Sequence, residues 1–186
     1  MENTEINDME TPSYMSAVFM GALVAGLLLA VLGTANNYLI ISSEPTGSPF
    51  SAAQGLGIII CFLGGIGGIL ANRSYAKDNN LTYPIGKGAL IGLLTGIFAV
   101  IVSTVLTLFW NYVIDPGLTQ AVYDWGVANI EATGASEDVI EQQIALLGEP
   151  GSVTSLLFGI GFSLVGIGII NTISGLIGAK VFASED

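Results

Sequence analysis

The chain has 186 residues, with Lys+Arg 4 against Asp+Glu 15, no His, one Cys, 52% hydrophobic and only 10% charged residues, and a formal net charge of -11. That balance excludes an ordinary soluble domain, in which roughly 25% of residues are charged, and four cations cannot neutralise a phosphate backbone, so no nucleic-acid partner is expected. A lipid bilayer is the solvent that such a composition fits.

Residues 1–13 form an acidic tail with Glu2, Glu5, Asp8 and Glu10 and no base. A secretory signal carries a basic leader and an apolar core of about 7 to 15 residues. The longer apolar run from Tyr14 to Ala35 is therefore read as a retained membrane helix. Three more runs follow, Phe50 to Ala71, Gly88 to Val113 and Val153 to Ala179, and none of the four contains Asp, Glu, Lys or Arg. Each exceeds the roughly 20 residues that cross about 30 Å of hydrocarbon. A soluble bundle would need polar residues recurring on its outward faces, yet Leu23 to Leu32 has none and Gly88 to Val102 has only Thr95. The expected fold is all-α: a single polytopic membrane domain over 1–186, with four transmembrane helices and an extramembrane helical hairpin between the third and fourth.

Within the spans, 18 of the 25 glycines fall at membrane depth. Lipid is as apolar as Leu, so helices associate in it through close backbone approach at small residues four apart. The rows are Ala22, Gly26 and Ala30 on the first helix, Ala53, Gly57, Cys61 and Gly65 alongside Gly64 and Gly68 on the second, Gly88, Gly92 and Gly96 on the third, and Ser155, Gly159 and Ser163, then Asn171, Gly175 and Ala179 on the fourth. These are read as helix-packing positions. Cys61 belongs to the same pattern as an inert small residue.

Arg73, Lys77 and Lys87 lie between the second and third spans, and Lys180 follows the fourth. Because Lys and Arg are retained on the cytoplasmic side, both termini and that loop are expected in the cytoplasm. Two glycosylation-like triplets, at Asn72 and Asn80, would then face the cytoplasm and are read as chance matches.

The segment 114–152 is the acidic, periplasmic hairpin. Asp115 is placed to N-cap a first helix with Pro116 in its first turn, Leu118, Ala121, Val122, Trp125 and Ile130 form its apolar stripe, and Gly134 ends it. A second helix is expected from Ser136, with Ile140, Ile144 and Leu147 as its apolar stripe, before Gly148 and Pro150 stop it. Amphipathic helices that bind anionic lipid are rich in Lys and Arg, and these have neither. Docking on the bundle or on a protein partner is the expectation.

The runs Lys87-Gly88-Ala89-Leu90-Ile91-Gly92-Leu93, Tyr112-Val113-Ile114-Asp115-Pro116 and Gly134-Ala135-Ser136-Glu137-Asp138-Val139-Ile140-Glu141 resemble domain-of-unknown-function family 4199, a group of four-helix membrane proteins common in Bacteroidota. The resemblance implies the bacterial inner membrane and carries no catalytic residue with it. Catalysis needs a titratable acid, base or nucleophile held in a pocket, and the spans hold no charge and no His. No catalytic residue, cofactor or metal is expected, and the protein is not read as an enzyme. The reading from sequence is an accessory, assembly or structural subunit that acts through helix packing, in a lipid bilayer, with a membrane-protein partner or as a homo-oligomer. The alternative is a small-solute transporter or channel, for which Asn171 is the first residue to test.

Overall fold

The computed structural model describes residues 12–48 and 52–183, with the side chains of 52–54 left aside. The acids of the N-terminal tail and Phe50 lie outside the described residues. The elements are α1 (Met15–Ile41), α2 (Ala52–Gly64), α3 (Ile66–Asn79), α4 (Ile85–Phe109), a π-helical turn (Trp110–Ile114), α5 (Leu118–Glu131), α6 (Glu137–Leu147) and α7 (Val153–Phe182).

Four stretches are long and apolar enough to cross a membrane: Met15–Ile41, Gly55–Asn79, Ile85–Ile114 and Val153–Phe182. The protein is an all-α polytopic membrane protein, and each helix outruns the apolar core read from the sequence. α1 continues past Ala35 because Asn36 packs inward and Tyr38 bonds across to the fourth element. α3 carries Arg73 and Lys77 within its helix, where long cationic side chains reach beyond the apolar layer from a helical backbone.

The second span is two helices. It breaks at Gly64 and Gly65, where the Gly65 N–H turns back to the Phe62 carbonyl at 3.0 Å and the Gly68 N–H to the Gly65 carbonyl at 3.2 Å. An uninterrupted helix would instead pair the Gly68 N–H with the Gly64 carbonyl. The α7 side chain of Asn171 completes the break: its Oδ1 accepts from Gly68 N, an N–H shared with the Gly65 carbonyl, at 2.9 Å, and its Nδ2 donates to the Gly64 carbonyl at 3.2 Å. No backbone polar group can be left open in hydrocarbon, so a break at this depth requires such a graft.

The four cations gather at one end, called here the basic end. Lys87 donates to the Tyr75 hydroxyl at 2.7 Å, and that hydroxyl donates to the Pro12 carbonyl at 2.9 Å. Lys77 lies 6.0 Å from the Phe182 ring. Asn72 is fully buried, donates to the carbonyls of Gly68 and Gly88, and lies against the Tyr83 hydroxyl. An amide so enclosed within α3 leaves no room for a glycan, a ground separate from the cytoplasmic placement expected from the sequence.

At the opposite, hairpin end the π turn extends α4, with Asp115 N–H reaching the Trp110 carbonyl at 2.8 Å. Here the expected cap is corrected. α5 starts at Leu118, and Asp115 caps nothing on it: Oδ2 accepts from the Tyr38 hydroxyl at 2.7 Å, and Oδ1 accepts from Gly117 N at 3.2 Å. The π turn carries α4 to Ile114, so Asp115 to Gly117 are used to reverse the chain and Pro116 lies before the helix. α5 is bolted to the segment after α1, since Trp125 Nε1 donates to the Ser43 carbonyl at 2.8 Å and Asn129 Oδ1 accepts from the Thr46 and Gly47 N–H groups. α6 runs from its Ser136 N-cap to Gly148, whose φ of 69° only glycine adopts readily. α6 buries no residue, so the expected docking on the bundle is met by α5 alone.

Candidate functional site

Two regions of the bundle differ in how they use their small residues. Toward the basic end, α4 and α7 lie backbone against backbone. A Cβ added at Gly92 would fall 2.9 Å from the Gly175 Cα and closer still to the Asn171 carbonyl oxygen. One at Gly88 would meet Ala179 and the Gly175 carbonyl, and one at Gly96 would lie 2.9 Å from the Ile167 carbonyl. Gly68 faces the Asn171 carbonyl and Ser174, and Gly175 faces Gly88 and Gly92 in return. The predicted positions Gly68, Gly88, Gly92, Gly96, Asn171 and Gly175 therefore meet in one seam, with Asn171 at its centre, whereas the row Ser155, Gly159 and Ser163 lies outside it toward the hairpin end, with nothing within 4 Å of a Cβ on Gly159.

On α1, Ala22 is buried with Ala25 and Ala99, and Gly26 packs on Val102 and the Ala99 carbonyl. Gly64 receives the Leu29 side chain. A second glycine pair, Gly21 with Gly67, brings α1 onto α3, with a Cβ on Gly67 only 2.9 Å from the Gly21 carbonyl. The four-residue rows passed over that pair because its two members sit on different helices.

Toward the hairpin end, α4 and α7 part. A cleft between them has three contiguous chambers of about 500, 320 and 310 Å³ that share lining residues from one to the next. The mouth is lined by Thr119, Gln120 and Ser152, the middle by Thr104, Thr107, Asn111 and Ser155, and the deep chamber by Ser103, Ser163, Gly33, Gly57 and Cys61. No charged side chain lines any of the three. The Asn111 Oδ1 and the Asn36 Oδ1 are both buried without a hydrogen-bond partner. The sequence marks Ser103, Thr104, Thr107 and Ser163 as the deepest polar groups, weighed between interhelical hydrogen bonding and the transporter alternative, and does not single out Asn111 or Asn36. The one available signal was the spacing of Ser103, Thr107 and Asn111, which places all three on one face of a helix.

A family model described as "Protein of unknown function (DUF4199)" matches residues 17–182. The chain belongs to that family. Neither a curated protein nor a solved structure matches it. For this DUF4199 chain the site is therefore defined by its own geometry. Among the described residues no group of His, Cys, Asp and Glu is placed to hold a metal ion.

Proposed function

We propose that this DUF4199 protein is an accessory, assembly or structural subunit of a bacterial inner membrane, with both termini in the cytoplasm, working through contact with a transmembrane helix of another membrane protein. The orientation is supported by the clustering of Arg73, Lys77, Lys87 and Lys180 at one end of the bundle.

The observation that carries the reading lies on α7. Only 11% of its central window is buried, against 33% to 39% for the other three spans. On that exposed side Gly161 has no atom within 4 Å of where a Cβ would stand. It forms a notch between Leu157, Phe158 and Val165, which are 62%, 79% and 63% exposed. Contact with lipid alone gives no reason for a glycine there, whereas a partner helix seats in such a notch. With no charge bordering the notch, the occupant is an apolar helix.

The test is the mass and composition of the tagged protein extracted from its native membrane in mild detergent, for the wild type and for Gly161→Leu. Stoichiometric co-purification of one membrane protein, lost in the variant while the chain still elutes as a folded species, is the expected result. Recovery of the chain as a bare monomer, or only as a homo-oligomer, would overturn the reading.

A further inference from the structure

The cleft between α4 and α7 raises a separate question, because its walls are built unlike the rest of the bundle. In the seam toward the basic end, every deep polar side chain is satisfied within the protein. Thr95 donates to the Ile91 carbonyl, Ser174 to the Asn171 carbonyl, and Asn72 and Asn171 use their amides in full. The cleft is satisfied only in part: Ser103 donates to the Val100 carbonyl and Ser155 to the Glu149 carbonyl. Among the described residues the hydroxyls of Thr104, Thr107 and Ser163 have no hydrogen-bond partner, and Asn111 Oδ1 is buried and unpartnered beside them.

Buried amide oxygens without donors are rare in native proteins, and that of Asn111, in the π turn, lies at the junction of two chambers of this cleft. The π turn is the device that delivers Asn111: an extra residue in the last turn of α4 shifts the helical register there, and such turns recur at functional sites.

We infer that this cleft is a binding site for a small uncharged polyol, entered from the hairpin end. Each feature selects for that class. The unpartnered amide oxygen of Asn111 calls for a hydrogen-bond donor, the hydroxyls accept and donate in turn, and among the described residues no carboxylate, Lys or Arg lines the walls to favour an ion. The deep chambers, at about 310 and 320 Å³, exceed a four-carbon polyol in size. Deep entry stops where Gly96 closes on Ile167 and Gly168, so the site is a blind cleft and not a pore.

The test uses a single cysteine. Ser163→Cys is made in a Cys61→Ser background of the full chain, reconstituted in lipid nanodiscs, and its rate of modification by a methanethiosulfonate reagent is followed. The thiolate is the reacting species, so modification reports water at that position. Val165→Cys, whose native side chain is 63% exposed on the lipid side, is the control and is expected to resist.

Erythritol at about 50 mM should slow the Ser163→Cys reaction about sixfold, which corresponds to a dissociation constant near 10 mM, reasonable for so small a ligand. Betaine at equal osmolality should leave it unchanged. Asn111→Leu, or Thr107→Val should that variant fail to fold, is expected to retain modification and lose the protection. Absence of modification at position 163 would show that the cleft is dry and overturn the inference. Modification that erythritol and glycerol do not slow, or that betaine slows equally, would overturn it as well by reducing the cleft to a water-filled crevice.

Discussion

Replacing Gly92 by Ala adds one methyl group at the narrowest point of the α4–α7 seam. The added Cβ would stand 2.9 Å from the Gly175 Cα and 3.0 Å from the Asn171 carbonyl carbon, where ordinary contact is 3.4 to 4 Å. The atoms in the way are backbone, so no side chain can swing aside and the two helices must separate by roughly 0.5 to 1 Å. A gap of that size forfeits a quarter to a half of each dispersion contact of about 0.1 to 0.2 kcal/mol. Over on the order of 40 atom pairs between Gly88 and Gly96 the loss is about 2 kcal/mol, within the usual cost of overpacking a core. At this chain length that corresponds to a fall of about 4 to 8 °C in the unfolding midpoint. Heating the detergent-solubilised protein and following the surviving monomer by size-exclusion chromatography measures it. Gly161→Ala is the matched control, because its Cβ meets nothing, and it should leave the midpoint unchanged or slightly raised, as Ala favours helix over Gly. If Gly92→Ala were as stable as Gly161→Ala, close backbone approach would not be what holds these helices.

Asn171→Leu should cost about 1 to 3 kcal/mol, because it orphans the Gly64 carbonyl and leaves the Gly68 N–H only its bond to Gly65; an unchanged unfolding midpoint in the same assay would mean that the break heals without the amide. Burial, with Tyr75 adding to it, pushes the Tyr83 phenol up to about 12 from an ordinary 10.0. The unfolded chain therefore gives up that proton first, so its contribution to stability is complete below pH 10 and is lost as pH rises toward 12. The midpoint should fall more steeply between about pH 10 and 12 in the wild type than in Tyr83→Phe, and equal slopes would contradict the assignment. Tyr38→Phe removes the hydroxyl that donates to Asp115 and accepts from Trp110 Nε1 at 3.1 Å. It should alter Trp110 emission and lower the unfolding midpoint by about 1 kcal/mol equivalent, and an unaltered emission spectrum would show that this contact is not formed in the membrane.

Much of the architecture is legible in the sequence because a bilayer imposes length and hydropathy on any helix that crosses it. The glycine rows likewise pointed to the seam, since only small residues four apart permit that approach. Helix ends were legible to a lesser degree. Asn36 and Asn37 on α1 and Arg73, Ser74, Lys77, Asp78 and Asn79 on α3 are polar or charged yet helical, and composition marks where lipid ends, not where hydrogen bonding ends. The break at Gly64 was hidden for a different reason: its stability depends on Asn171, more than a hundred residues away, and no local pattern near Gly64 announces a partner so distant. The cap assigned to Asp115 failed because its side chain is claimed by Tyr38 on the first helix. Asn111 shares the four-residue spacing of Ser103 and Thr107, but that its amide oxygen is left without a donor depends on neighbours from other elements, which spacing does not announce.

The graft of Asn171 onto the broken second span also bears on how the protein is made. The second span leaves the ribosome long before residue 171 is synthesised, so the amide that satisfies Gly64 and Gly68 is absent when that span first meets lipid. The nascent segment must then pair those two groups with each other, as one straight helix, and bend only when the last helix arrives. The final shape of the second span is thus a late event of biogenesis, and a chain truncated before α7 would hold that span straight.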